Sequence, residues 1–186
     1  ILTLVTITLT SYYIQHSEWF YKFLKKPLQI YNIFTTEGLE YLPTEAEPNI
    51  ILCGYNRVGY SILKDLEKVK KKVLIVDFNP EVISLLVKKG YHCIYGDVTD
   101  EEIIERMNLS KVKILISTIP KLHDNLLILR KVREHNKRAK VFLTASEIDE
   151  ALTLYEHGAD YVVLPHFLGG EHVANLISKV RVKKLK

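Results

Sequence analysis

From residue 50 onward the chain alternates between two hydrophobic periods. Short apolar runs recur as "IILCG", "VLIVD", "HCIYG", "KILIST", "VFLTA" and "YVVLP", and segments of helical period separate them. Strands that are apolar throughout, interleaved with helices, predict an α/β fold: a Rossmann-like, doubly wound parallel six-stranded sheet covered on both faces. The punctuation agrees. Asn79 is placed to N-cap a helix with Pro80 at its first position, and Gly90 to end it. Thr99 with Glu102 reads as a capping box before "DEEIIERM". Ser146 is expected to cap "EIDEALTLYEH", which stops at Gly158. In "NLLILRKVREH", Leu126, Ile128, Leu129 and Val132 form an apolar face with basic residues opposite. A last helix is expected at about residues 170–181, carrying Val173, Leu176, Ile177 and Val180. The apolar residues of the last two helices exceed what one sheet face needs.

The first 34 residues follow another pattern. "ILTLVTITLT" is uncharged; Tyr12, Tyr13, Trp19, Phe20, Tyr21 and Phe23 follow, with Lys22, Lys25 and Lys26 among and after them. An apolar run, an aromatic belt and then lysines is the pattern of a transmembrane helix leaving the bilayer on its cytoplasmic side. The run is too short to span alone, since a span needs about 20 residues. The expectation is therefore residues 1–34 as the truncated end of a transmembrane helix and a membrane-proximal segment, with "PLQIYNIF" docking at the interface. The first residue, Ile1, points to a start inside a longer protein. Residues 35–49, with Gly38, Pro43, Pro48 and four glutamates, read as a linker. Residues 50–186 form the third part.

Composition changes this picture little. Hydrophobic residues make up 47% and charged residues 26%, an ordinary globular balance. A net charge of +4 is too mild to imply nucleic acid, and the basic runs "KVKKK" and "RVKKLK" read as solvated ends. Cys53 and Cys93 each lie inside a strand-like run and read as buried core residues. No spacing of His and Cys suggests a metal site.

The candidate chemistry sits at the first strand–helix turn, "ILCGYNRVGY". Gly54 and Gly59 bracket a phosphate loop of the G-x-G-x-x-G type, with Asn56 in the place of the second glycine. Asp77 ends the second strand about 20 residues on, where that fingerprint places its ribose-binding acid. Gly96 and Asp97 end the third strand at the same edge of the sheet. The N–H groups at the helix start face an anion, aided by the helix dipole. Asp77 accepts ribose hydroxyls and repels a 2′-phosphate, which disfavours NADP. Asn56 tolerates unusual backbone angles, but its side chain fills space where a pyrophosphate would approach. Arg57 beside it offers a charged donor to phosphate. The expected ligand is an adenine nucleotide, with a mononucleotide slightly favoured over a dinucleotide. The alternative is a structural Rossmann fold with an unused cleft.

These residues carry a resemblance. "ILCGYNRVGYSIL", "VLIVDFNPEVISLL", "YGDVTDEEIIERMNL", "ISTIPKLHDNLLIL" and "LYEHGADYVVLPHFLGG" resemble the regulator-of-K⁺-conductance domain (RCK), also called the TrkA N-terminal or KTN domain. The part before residue 50 is similar to the last membrane helix and linker of Kef-type cation/proton antiporters. The resemblance implies a nucleotide (NAD(H), AMP, ADP or ATP) on Gly54, Tyr55, Asn56, Arg57, Val58, Asp77, Asp97, Val98 and Thr118, with Gly59, Phe78 and Gly96 completing the candidate set. It implies a homodimer through this domain, a transmembrane transporter domain upstream in the same chain, and a place at the cell membrane with the globular part on the cytoplasmic side. The implied role is nucleotide-dependent gating of a monovalent cation (K⁺ or Na⁺)/proton antiporter, or alternatively of a potassium channel or uptake system. An NAD-dependent reductase is the rival. It would need a substrate lobe and a positioned acid or base, and His92, His123, His157, His166 and His172 are scattered along the chain.

Overall fold

In the computed structural model the described residues are 2–16, 40–43 and 47–184. Compactness divides the chain into two units, Ile1–Glu37 and Gly38–Lys186.

The first unit contributes helix α1, Leu2–Gln15. All its side chains are exposed. The hydroxyls of Thr6, Thr8 and Thr10 each donate to a carbonyl one turn back, at 2.8–3.1 Å. At 1.5 Å per residue, its 14 residues fall well short of the ~30 Å hydrocarbon core of a bilayer. Among the described residues no helix is long and apolar enough to cross a membrane. This corrects the expectation of a transmembrane helix for the described residues; the upstream transmembrane transporter domain in the same chain and the cell-membrane location with a cytoplasmic globular part, which were expected with it, are not carried forward. The aromatic and lysine belt from Trp19 to Lys26 and the segment "PLQIYNIF" lie outside the described residues.

In the second unit the six expected strands form one parallel sheet. They are β1 Ile50–Cys53, β2 Val73–Asp77, β3 His92–Tyr95, β4 Ile114–Ser117, β5 Lys140–Thr144 and β6 Tyr161–Val163. Their order is β3-β2-β1-β4-β5-β6, the doubly wound arrangement with its reversal between β1 and β4. Helices α2 Val58–Asp65, α3 Pro80–Lys88, α4 Glu101–Arg106, α5 Leu122–His135, α6 Ile148–Glu156 and α7 Pro165–Lys184 follow the strands in turn. One face of the sheet packs Ile51, Leu74, Ile94, Leu115, Ile128, Leu129 and Leu154. The other packs Leu52, Ile75, Leu63, Ile83 and Leu86. Cys53 and Cys93 are fully buried free thiols, and burial pushes both up to about 12.

The caps hold in part. Asn79 accepts the Glu81 N–H at 2.9 Å, with Pro80 behind it. Before α4, however, the cap is Asp100, which takes the Glu102 N–H at 3.0 Å. Thr99 instead donates to Asp97. Before α6 the capping box is Glu147 with Glu150, one residue beyond Ser146. A nearby carboxylate outcompetes the hydroxyl in both places. The last two helices leave Ile148, Leu152, Tyr155, Phe167, Leu168, Val173, Leu176 and Ile177 exposed.

The segment expected to be a linker is partly ordered against the sheet. Tyr41 forms an antiparallel bridge with Cys93, through bonds of 3.1 and 2.9 Å. Arg106 clasps both oxygens of Glu40, and Lys111 reaches Glu47 at 2.6 Å. The cause is β3 itself. It is an edge strand whose outer N–H and C=O groups need partners.

Candidate nucleotide cleft

The site is built on a strand end and two glycines. Gly54, at φ 85°, turns the chain out of β1. A Cβ there would meet the Thr118 hydroxyl at 2.8 Å, and that hydroxyl donates to the Gly54 carbonyl at 3.0 Å. A Cβ on Gly59 would stand 2.3 Å from the Gly54 carbonyl oxygen. The first turn of α2 therefore lies directly on the end of β1, the close helix–strand packing for which the fingerprint's third glycine is needed.

Asp77 closes the loop from the next strand. Its carboxylate accepts the Tyr55 N–H at 2.9 Å and the Asn79 N–H at 2.8 Å. It is 5% exposed. A carboxylate has about four acceptor sites, so two remain for a ligand after the loop is fixed. The Gly54 N–H is spent on Val76. Among the described residues, the N–H groups of Asn56, Arg57 and Val58 have no partner in the chain, and they stand at the start of α2.

Between the carboxyl ends of β1, β2, β3 and β4 lies a cavity of about 400 Å³. Of the expected site residues, Gly54, Asp77, Phe78, Gly96, Asp97 and Val98 line it. Gly96 is required because a Cβ would sit 2.5 Å from Ile103. Asp97 is held by the Thr99 N–H and hydroxyl at 2.9 and 2.8 Å. Gly59 and Thr118 support Gly54 from behind. Asn56 and Arg57 are exposed at the head of α2, with Val58 half-buried. The Tyr55 ring does not face this cavity; it packs toward Tyr60 on the other side of the loop.

Two features depart from the sequence reading. The unusual backbone angle falls on Arg57 (φ 49°, ψ −90°) and not on Asn56. The far wall is Ile119, Pro120, Lys121 and Asp124, none of which was in the candidate set. The signal was available: the cleft of a doubly wound sheet opens at the strand-order reversal, which puts the residues after β4 opposite those after β1. Asn125, fully buried, holds that wall. It accepts the Ser117 hydroxyl at 2.6 Å and donates to the carbonyls of Ile119 and Thr144, both at 2.9 Å.

Comparison with known proteins bears on the fold and the family. The chain is 30% identical over 142 residues to an uncharacterized protein of Methanothermus fervidus, covering 73% of this chain and 22% of that one. It is 27% identical over 128 residues to potassium channel protein 1 of Methanocaldococcus jannaschii (68% and 38%). It is 28% identical over 116 residues to the glutathione-regulated potassium-efflux system protein KefC of Escherichia coli (62% and 19%). The chain thus spans less than two fifths of the length of these curated relatives. Among solved structures, the TrkA-N domain of the Escherichia coli inner membrane protein ybaL superposes with TM-score 0.66 at 24% identity (72% of this chain, 98% of that one). The NAD(P)-binding domain of an exopolyphosphatase-related protein from Archaeoglobus fulgidus gives 0.60 at 27% (71% and 98%). The Shewanella denitrificans Kef CTD in its AMP-bound form gives 0.62 at 19% (70% and 80%). The TrkA-N domain model matches residues 50–165, the span from β1 to the start of α7, and the chain belongs to that family.

Proposed function

We propose that the chain carries a nucleotide-sensing regulatory domain of monovalent cation transport, and that an adenine nucleotide occupies the cleft between Gly54, Asp77 and Asp97. The observation that carries this reading is the double duty of Asp77. One oxygen, Oδ2, ties down the phosphate loop through the Tyr55 N–H, Oδ1 takes the Asn79 N–H, and the carboxylate keeps acceptor capacity at the cavity wall for ribose hydroxyls. The free N–H groups of Asn56, Arg57 and Val58, the helix dipole and the Arg57 guanidinium supply the phosphate end. Phe78, Gly96 and Val98 offer the flat, apolar surroundings a base needs. Asn56 narrows the approach of a pyrophosphate and favours a mononucleotide. The names of the relatives, a potassium channel and a potassium-efflux protein, support cation transport as the regulated process. The AMP-bound Kef CTD and the NAD(P)-binding domain support the ligand class.

The cleft reads as a sensor and not a catalyst. Its polar side chains are Asp77, Asp97, Lys121 and Asp124; Asp77 and Asp97 bind backbone or Thr99, and Lys121 lies 4.0 Å from Asp124. Regulation then requires that the ligand bind two arrangements of the domain with different affinity. Calorimetry with AMP, ADP, ATP, NAD⁺ and NADH is the test. Binding of at least one tighter than about 1 mM is expected, and no binding by any of them to the folded protein would reject the proposal.

A further inference from the structure

On the opposite side of the phosphate loop, between α2 and α3, lies a second cavity of about 450 Å³. Tyr55, Tyr60 and Tyr91 wall it, Leu63 and Leu86 form its floor, and Lys64, Lys70 and Lys89 stand around it with Glu67 as the one carboxylate. Tyr55 and Tyr91 are 9% and 6% exposed. Among the described residues neither hydroxyl makes a hydrogen bond; the two residues pack in the apolar core with Leu63 and Leu86, Tyr55 edge-on to Tyr60 and Lys70 Nζ 6.0 Å over the Tyr91 ring. Lys64 and Lys89 have no carboxylate partner among those residues. Burial pushes both phenols up, so they remain O–H donors throughout the physiological range. Two phenol hydroxyls that open onto the cavity with no acceptor among the described residues, beside three ammoniums (Lys70 also donates to the Lys89 carbonyl at 3.4 Å) and one carboxylate, describe a pocket suited to an anion.

We propose that this cavity binds a small phosphate-bearing ligand, a phosphate monoester with an apolar or cyclic body, and that Tyr55 reports its occupancy to the nucleotide loop. Phosphate suits the pocket because ammoniums act on it as point charges and phenols donate to its oxygens, while the body stacks on the tyrosine rings over Leu63 and Leu86. The link is one residue long. The ring of Tyr55 walls this cavity, and its N–H is the bond that ties the loop to Asp77. A ligand that shifts the ring pulls on that bond. The link to nucleotide sensing rests on the function proposed above; the cavity itself does not.

The test is NMR on the full chain carrying labelled tyrosines and labelled backbone amides, titrated with phenyl phosphate, with inorganic phosphate and benzoate alongside. Phenyl phosphate is expected to move the Tyr55 and Tyr91 ring signals saturably, and to move the Asn56 and Arg57 amides with them. Lys64→Gln with Lys89→Gln should weaken this by about tenfold or more, and Tyr91→Phe by a smaller factor, at unchanged melting temperature. No saturation by about 10 mM, or shifts confined to Gly96, Asp97 and Lys121, would overturn the site. Equal binding of benzoate would overturn the phosphate assignment, and unmoved loop amides would overturn the link. A separate AMP titration read at Gly96 and Asp97 keeps failure of the nucleotide reading distinct.

Discussion

The Asp77 carboxylate and the Tyr55 backbone N–H meet at 2.9 Å across 22 residues of sequence. The ribose acceptor and the phosphate loop are therefore one unit. Asp77→Ala removes an acceptor from the ligand and, at the same time, unties a buried N–H. Charge-assisted bonds of this kind contribute about 1.5–3 kcal/mol each, so nucleotide affinity should fall roughly ten- to a hundredfold, with a measurable loss of stability. Asp77→Asn should do the same more mildly, because its NH₂ end must face one of the two N–H donors. Calorimetry and urea unfolding on the same samples check both. Nucleotide binding by Asp77→Ala as tight as wild type would exclude the pose.

Gly59 has no tolerance for a side chain. A Cβ would stand 2.3 Å from the Gly54 oxygen and 3.1 Å from its carbonyl carbon, and both are backbone. Either α2 moves off β1 or the loop is displaced. Gly59→Ala is expected to cost about 1–3 kcal/mol and to weaken nucleotide binding further than stability alone accounts for. A fully stable Gly59→Ala protein would show that α2 can slide.

Much of this was written in the local pattern. The strands were legible because each is buried on both faces and so reads as an unbroken apolar run. Asn79, Gly90 and Gly158 acted as their types dictate, and Gly54, Asp77 and Asp97 arrived at one edge because a parallel sheet brings all its strand ends there. The rest depended on partners distant in sequence. Tyr41 pairs with Cys93 as a single bridge, which has no period to detect. Lys121 and Asp124 face the cleft only because β4 lies beside β1. Thr99 lost its cap position to Asp100 because Asp97 captured its hydroxyl. The α1 segment reads toward a membrane from its apolar composition and the aromatic and lysine residues after it, although its run is already too short to span alone.

Asn125 holds the cleft wall from inside the core. It satisfies the Ser117 hydroxyl and the carbonyls of Ile119 and Thr144 while fully buried. Asn125→Leu keeps the volume and leaves these groups short of a partner. At about 1–3 kcal/mol per orphaned buried group, a loss of about 3 kcal/mol or more is expected in chemical denaturation. Ile119 and Lys121 should become more mobile, and hydrogen exchange at the amides of residues 118, 119 and 121 reads this directly. Wild-type exchange there would remove Asn125 from the account of the cleft.

His92 gives the fold a dependence on pH. It is 8% exposed on β3, its Nδ1 makes no hydrogen bond among the described residues, and its ring centroid lies 5.8 Å from that of Tyr41. Burial, and then the charge of Lys71, hold it below the ordinary histidine value. The unfolded chain takes up a proton near pH 6.5 while the folded chain resists. Stability contributed by neutral His92 is therefore complete above that value and declines as pH falls through it toward the folded-state pKa. Asp160, lowered on balance because Lys140, the Val141 N–H and Arg133 outweigh its burial, loses its contribution only further down, in the carboxylate range. Unfolding midpoints of wild type and His92→Gln from about pH 7.5 to 5 should converge as pH falls. Parallel curves would assign the dependence to another group.

Arg57 and Asn56 divide between them what a single glycine does in the usual loop. Asn56 occupies the glycine's place in the sequence, but the left-handed backbone falls on Arg57, at φ 49° and ψ −90°. A non-glycine residue held there costs about 1–3 kcal/mol, whereas glycine carries an entropic penalty of about 0.5–1 kcal/mol. Arg57→Gly is thus expected to leave stability unchanged or raise it by about 1 kcal/mol. It should also weaken nucleotide binding, since the guanidinium is the loop's cation. The two effects have opposite signs, which separates strain kept for a ligand from a merely poor turn. Asn56→Gly should act on choice instead of strain: with the side chain gone a pyrophosphate can approach the backbone, and the ratio of NAD⁺ to AMP affinity should rise. Unfolding curves and calorimetry on the two variants measure all of this. If Arg57→Gly is destabilised and binds AMP unchanged, the side chain is structural, and the phosphate is held by the N–H groups of Asn56, Arg57 and Val58 alone.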